Sequence, residues 1–222
     1  MEGKATAADA ALRVTEIFLS LQGEANTVGL PTVFVRLTGC PLRCGYCDSA
    51  YAFAGGQQMS LAAIAQQVTA FGVPRVTVTG GEPLAQPNAL PLMQRLCDAG
   101  MSVSLETSGA LDVGAVDPRV VRVVDLKTPG SGEVHRNLWS NLTHLTLKDQ
   151  IKFVVCDRSD YDWARLKCDE YGLYGAVADV LMSPSFGQVA PVELATWILQ
   201  DRLPVRMQVQ LHKILWGDEP GR

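Results

Sequence analysis

Eight stretches of the chain are rich in apolar, often β-branched residues and read as strands. They are Val14 to Leu19, Thr32 to Leu37, Arg75 to Val78, Ser102 to Leu105, Val120 to Val124, Gln150 to Val155, Ala178 to Met182 and Val205 to Gln210. Between several of them, apolar residues recur at helical spacing. Ser60 can cap a helix that carries Leu61, Ile64, Val68 and Phe71 on one face and closes at Gly72. Asn88 can cap a second, with Leu92, Leu96 and a stop at Gly100. Leu138 to Leu147, Tyr161 to Tyr171 and Val192 to Leu203 carry weaker helical patterns.

Strand and helix alternate, which predicts an α/β fold: a parallel sheet with crossover helices. Leu105 to Val120 and Lys127 to Glu133 read as loops. The expected form is therefore a partial, incomplete (β/α) barrel with reduced helices. Sites in such folds lie at the C-terminal strand edge. Gly39-Cys40, Thr79 to Pro83, Glu106 to Gly109, Asp125 to Lys127 and Ser183-Pro184 all follow strands. These strand ends predict convergence on one site.

The chain has 222 residues, of which 47% are hydrophobic, enough for one sizeable core. One domain over 1–222 is expected, with 1–13 as a flexible N-terminus and 214–222 as a C-terminal tail. The net charge is −4 and no basic block stands out, which argues against nucleic-acid binding. No run of ~18 apolar residues occurs, so no membrane span is expected. Met1 to Ala11 lacks the basic start and apolar core of a secretory signal, so a cytoplasmic location is expected.

Of the six cysteines, Cys97, Cys156 and Cys168 stand singly and read as small buried residues. The other three lie in Cys40-Pro41-Leu42-Arg43-Cys44-Gly45-Tyr46-Cys47, a C-x3-C-x2-C spacing. Reduced thiols this close together point to a metal rather than to disulfides. Thiolates suit iron–sulfur clusters, zinc or copper(I). A structural zinc site takes four ligands, and His135, His144 and His212 are all distant in sequence. Zinc completed by a remote His or Cys is the alternative reading. A [4Fe–4S] cluster held by three cysteines leaves one iron open for a small molecule.

The cysteine spacing, with Tyr46 before the last cysteine, resembles the signature of the radical S-adenosylmethionine (SAM) superfamily. Thr79-Gly80-Gly81-Glu82-Pro83 is similar to that family's second motif. The resemblance implies a [4Fe–4S] cluster on Cys40, Cys44 and Cys47, with SAM chelating its open iron. One-electron reduction then yields a 5′-deoxyadenosyl radical. The resemblance also implies SAM contacts for Tyr46, Cys47 and Asp48, for Gly80, Gly81 and Glu82, and for Asp125, Leu126 and Lys127. Ser183, Pro184, Ser185 and Phe186 would close the adenosine side. Adjacent glycines let backbone approach a ligand, and Glu82 supplies a carboxylate.

Ser20-Leu21-Gln22-Gly23-Glu24, Phe34 to Cys40, Glu106 to Gly109 and Asp149 to Val155 narrow the resemblance. From about Thr15 to Lys213 the chain looks like the 7-carboxy-7-deazaguanine synthase family. That implies radical ring contraction of 6-carboxy-5,6,7,8-tetrahydropterin to 7-carboxy-7-deazaguanine and ammonia, with SAM regenerated and Mg²⁺ assisting. Backbone at Leu21 and Gly23, the Gln22 amide and the Thr79 hydroxyl would read the pterin. Arg36 would hold the substrate carboxylate bidentately, with an internal ion pair as the alternative. No side chain is assigned a catalytic role, because the radical starts at cluster-bound SAM. Ser49 stands where relatives commonly carry Thr, and would give its hydroxyl to Mg²⁺ or to the loop backbone. His212 is read equally as structural or ligand-binding, and the tail after Lys213 does not align. A flavodoxin or ferredoxin as electron donor and a homodimer are expected. Two rivals remain: an activase for a glycyl-radical enzyme, and a zinc-binding module without catalysis.

Overall fold

The computed structural model describes residues 10–217, 219 and 221. Nine strands form one sheet: β1 (Ala11–Leu21), β2 (Pro31–Leu37), β3 (Gln57–Ser60), β4 (Arg75–Gly80), β5 (Ser102–Thr107), β6 (Val121–Asp125), β7 (Gln150–Val155), β8 (Asp179–Pro184) and β9 (Arg206–Met207). Their order is β3-β1-β2-β4-β5-β6-β7-β8-β9, so β3 and β9 are free edges and the barrel stays open. From β2 onward along that order every pair is parallel.

The opening of the sheet departs from the expected parallel pattern. β1 runs antiparallel to β2, and β3 runs antiparallel to β1. Only residues 22–30 join β1 to β2, too few for the crossover that a parallel pair requires. The sequence reading missed β3, a polar edge strand of Gln57, Gln58, Met59 and Ser60 with no β-branched residue. β9 is shorter than its apolar pattern suggested, ending at Met207. Residues 11–13, read as flexible, begin β1 instead, and Leu12 is buried in the core. Residues 1–9 lie outside the described residues.

Five α-helices follow: α1 (Leu61–Ala70), α2 (Ala89–Asp98), α3 (Arg158–Tyr171), α4 (Pro191–Asp201) and α5 (Leu211–Trp216). The Ser60 hydroxyl caps α1 by accepting from Ala63 N. Asn88 does not cap α2; its amide donates to the Ala11 carbonyl. The helical pattern at Leu138 to Leu147 forms only a 3₁₀ turn, Trp139–His144. α5 takes in Ile214 to Trp216, the start of the segment read as a tail.

Strand alternation places the site. Val33, Val35, Leu37, Val76, Val78, Val103 and Leu105 pack in one core with the buried faces of α1 and α2. Ile151, Phe153, Val155, Val180 and Met182 pack in a second core with α3 and α4. The intervening residues of the same strands point to the other face: Arg36, Thr79, Glu106, Lys152 and Ser183. All five line one cavity.

Candidate active site

The cavity holds about 650 Å³ at the C-terminal ends of the parallel strands. It brings together the five strand-end motifs and the cysteine loop. Of the residues expected from sequence to meet SAM, substrate or metal, Glu82 and Leu126 do not line it.

The cysteine loop follows β2 directly. Its backbone is held by neighbours: Gly39 N donates to the Ala52 carbonyl at 2.8 Å, and Gly45 N to that of Ser131 at 3.0 Å. The Arg43 guanidinium donates to the Cys40 and Leu42 carbonyls at 2.8 and 2.6 Å and lies 4.4 Å from the Phe53 ring centre. Leu42 is the loop's buried anchor. Among the described residues no group of three or more His, Cys, Asp or Glu side chains stands preassembled for a metal. Cys40, Cys44 and Cys47 nonetheless line the same wall. Burial raises all three thiols, Cys44 to about 11, while the Lys127 charge pulls the other way. Such thiols ionise when a metal draws the proton off. Cys97, Cys156 and Cys168 do not line this cavity.

Beside the loop, the end of β4 turns through Gly80 and Gly81. A Cβ on Gly80 would sit 2.6 Å from Leu37 N and one on Gly81 2.8 Å from Cys40 Cβ, so these glycines admit close packing against the end of β2 and the start of the cysteine loop as well as lining the cavity. Glu82 is fully buried and turned away from it. Its carboxylate accepts from Leu84 N at 2.9 Å, the Thr107 hydroxyl at 2.9 Å, and Ser108 N and Oγ at 2.7 and 2.5 Å. With those lone pairs taken, it pins β4 to the end of β5. Leu126 belongs to the second core. Its neighbours Asp125 and Lys127 form a mostly buried ion pair at 3.0 Å, and Lys127 Nζ lies 5.7 Å from the Tyr46 ring centre.

The deepest part is polar. Gln22 Nε2 donates to Thr77 Oγ1 at 3.2 Å and Glu106 Oε1 at 3.3 Å, and Gln22 Oε1 accepts from Glu24 N at 3.3 Å. The Gln22 amide is thus committed to internal bonds, and it orients Glu106. Thr79 Oγ1 donates to the other Glu106 oxygen at 3.4 Å. Burial, then the charge of Glu24, raises the Glu106 carboxyl above its ordinary range. Glu24 pairs with Lys152. Burial alone would raise Glu24, but the Lys152 charge together with hydrogen bonds from Lys152 and Gln210 outweighs it, and the carboxyl is lowered. Lys152 is raised despite burial, by the charges of Glu24, Asp125 and Glu106.

The C-terminal segment covers this region. Gln210 Nε2 donates to Glu24 Oε1 at 2.9 Å and Asp48 Oδ2 at 3.1 Å. Leu211 N donates to the Gly23 carbonyl at 3.0 Å. A side chain at Gly23 would overlap the His212 ring and displace it. Burial lowers the His212 pKa. Gly217, Glu219 and Gly221 line the cavity.

At the mouth, Arg36 makes the internal ion pair weighed from sequence: its Nε donates to Glu16 Oε1 at 2.7 Å. Ser49 Oγ donates to Asp48 Oδ1 at 2.9 Å rather than to loop backbone. Sequence reading missed Glu16, Tyr51 and Gln210 in this site, and gave Glu106 and Lys152 no role. The last two carried a usable signal, a charge in a strand at a position that alternates with buried apolar residues, Val103 and Leu105 in β5 and Ile151 and Phe153 in β7.

An open α/β barrel with a three-cysteine loop and a double-glycine strand end at one cavity defines a radical SAM protein. The model of the Radical SAM superfamily matches residues 34–124. A 7-carboxy-7-deazaguanine synthase of Chlorobaculum tepidum is 45% identical over 215 residues, covering 95% of this chain and 97% of that protein. One of Koribacter versatilis is 43% identical over 224 residues, covering 94% and 98%. The chain belongs to the 7-carboxy-7-deazaguanine synthase family. The crystal structure of QueE from Escherichia coli shares the fold, with a TM-score of 0.73 at 23% identity over 90% of this chain and 94% of that one. These likenesses favour this family over the activase and the zinc module.

The residues fit the cofactors of that superfamily. Three soft donors share one loop beside the Lys127 cation. Tyr46 OH, Asp125 Oδ1 and Ser183 Oγ are buried without a partner, and all three residues line the cavity. Unsatisfied buried polar atoms are costly unless a ligand meets them.

Proposed function

We propose that the protein converts 6-carboxy-5,6,7,8-tetrahydropterin to 7-carboxy-7-deazaguanine and ammonia by radical ring contraction, regenerating SAM. Near-full-length identity of 45% to a protein of that name carries the proposal. Cys40, Cys44 and Cys47 would hold a [4Fe–4S] cluster. When bound, the cluster and SAM supply the radical chemistry, and the protein supplies orientation and exclusion of water. Tyr46, Cys47, Asp48, Gly80, Gly81, Asp125, Lys127 and Ser183 to Phe186 would surround SAM, while Glu82 and Leu126 keep that wall in shape.

The substrate would lie on the polar floor. Glu106, oriented by Gln22 and Thr79, accepts N–H groups of the pterin edge. Leu21 and Gly23 border the ring. Arg36 meets the substrate carboxylate through its Nη groups, Nε being held by Glu16. Ser49 with Asp48 offers hard oxygens suited to Mg²⁺. A flavodoxin or ferredoxin would deliver the electron. We place the enzyme in the cytoplasm as a homodimer of one domain; among the described residues no helix is long and apolar enough to cross a membrane.

Binding tests the assignment of the floor. Glu106→Ala should weaken binding of the carboxylated pterin ~10-fold or more, as expected for losing hydrogen bonds to a charged group, and leave SAM binding unchanged. Unchanged pterin affinity removes Glu106 from the substrate site.

A further inference from the structure

The Glu16–Arg36 pair depends on a bulge in β1. The register slips by one residue between Val14 and Glu16, so that Glu16 stands opposite Arg36. Continued from Val14 opposite Leu37, an unbroken ladder would set Thr15 there and turn Glu16 to Val35. Bulges next to functional sites re-aim side chains in this way.

Glu16 Oε1 accepts twice: from Arg36 Nε at 2.7 Å and from the Tyr51 hydroxyl at 2.8 Å. The guanidinium lies 5.9 Å from the Phe18 ring centre and 5.6 Å from that of Tyr51. Phe18 is itself stacked on Phe34 at 5.1 Å. With Nε committed and Nη1 donating to Ser49 Oγ at a long 3.5 Å, Nη2 and the second Nη1 hydrogen are left for a ligand.

We propose that Glu16 is a positioning residue that aims Arg36 at the substrate carboxylate. Through Tyr51 it ties that aim to the loop after the third cysteine. The proposal rests on the reading of Arg36 as the carboxylate-binding residue. The role is geometric, because one oxygen accepts both bonds and glutamine offers the same oxygen. Glu16→Gln therefore keeps KM for the carboxylated pterin within ~3-fold, whereas Glu16→Ala raises it ~10-fold or more, with kcat changed less.

The test uses anaerobically reconstituted holoenzyme, titrated with tetrahydropterin with and without the 6-carboxylate, alongside iron content and SAM binding. The wild type and Glu16→Gln are expected to prefer the carboxylated ligand, and Glu16→Ala to lose most of that preference with iron and SAM binding intact. Undiminished preference in Glu16→Ala overturns the proposal. So does a loss in Glu16→Gln as large as in Glu16→Ala, which would make charge the cause, or loss of iron in Glu16→Ala, which would make the role one of loop folding. A wild type that binds both ligands equally instead overturns the reading of Arg36 itself.

Discussion

Gly81 packs backbone to backbone against Gly39: a Cβ built on Gly81 would lie 2.6 Å from the Gly39 carbonyl carbon and 2.8 Å from the Cys40 Cβ. Glu82 N donates to that same Gly39 carbonyl at 2.8 Å. The second motif therefore shapes the cysteine loop directly, besides facing the cavity. Gly81→Ala should destabilise the fold by about 1–3 kcal/mol, the usual cost of overpacking, and lower iron content per chain after reconstitution. Gly175→Ala, where the added Cβ meets open space, should change neither. Urea unfolding and iron analysis check both. Full iron loading in Gly81→Ala would mean that the loop tolerates displacement.

Glu24 and Lys152 are both mostly buried and pair across the cavity floor. Removing one partner strands a charge. Lys152→Met should cost about 3–5 kcal/mol. Adding Glu24→Gln to it should restore part of that, because the Glu24 charge is then no longer stranded, although Glu106 still lacks the Lys152 cation. Urea midpoints at about pH 7 measure both. Equal destabilisation in the single and double variants would place the cost elsewhere, in the Gln210 contacts to Glu24 for example.

Glu106 gives stability a pH dependence of known sign. Burial, then the charge of Glu24, raises its folded pKa above the unfolded value. The folded chain then holds the proton more tightly, so Glu106 supports the fold below the unfolded pKa and loses that support as pH rises through the folded one. Glu106→Gln should therefore raise Tm at about pH 7.5 and bring no gain at about pH 4, while binding of the pterin weakens. A thermal series across that window checks it. A gain in acid equal to that at neutral pH would rule out the raised pKa as its source.

Ser49 is proposed to offer its hydroxyl oxygen to Mg²⁺, an oxygen that threonine would also supply, with a methyl group that restricts rotation. Ser49→Thr should be nearly neutral, and Ser49→Ala should lose magnesium stimulation while keeping the cluster. A magnesium titration of turnover decides. An unchanged response in Ser49→Ala restricts Ser49 to its bond with Asp48.

Much of this site could be read from the chain because its chemistry is local. Cys40 to Cys47 and Gly80-Gly81 act through spacing along a few residues, and the strands behind them are strongly apolar. The rest needed the fold. Glu82 looked like a ligand carboxylate, but its lone pairs are taken by residues 107 and 108, brought near only by the pairing of β4 with β5. Arg36 faces Glu16 through a one-residue bulge that hydrophobic periodicity does not register. Gln210 reaches Asp48 from 162 residues away, and β3 lacked any strand-forming residue type.

Turnover with the carboxylated tetrahydropterin decides whether the chain carries out the ring contraction. Holoenzyme is supplied anaerobically with SAM, a reductant and 6-carboxy-5,6,7,8-tetrahydropterin, and deazaguanine product, ammonia and remaining SAM are measured together. Many turnovers per chain are expected, with equal yields of 7-carboxy-7-deazaguanine and ammonia, no net loss of SAM, and no product from Cys44→Ala. SAM consumed without deazaguanine product, or full turnover by Cys44→Ala, would contradict that function.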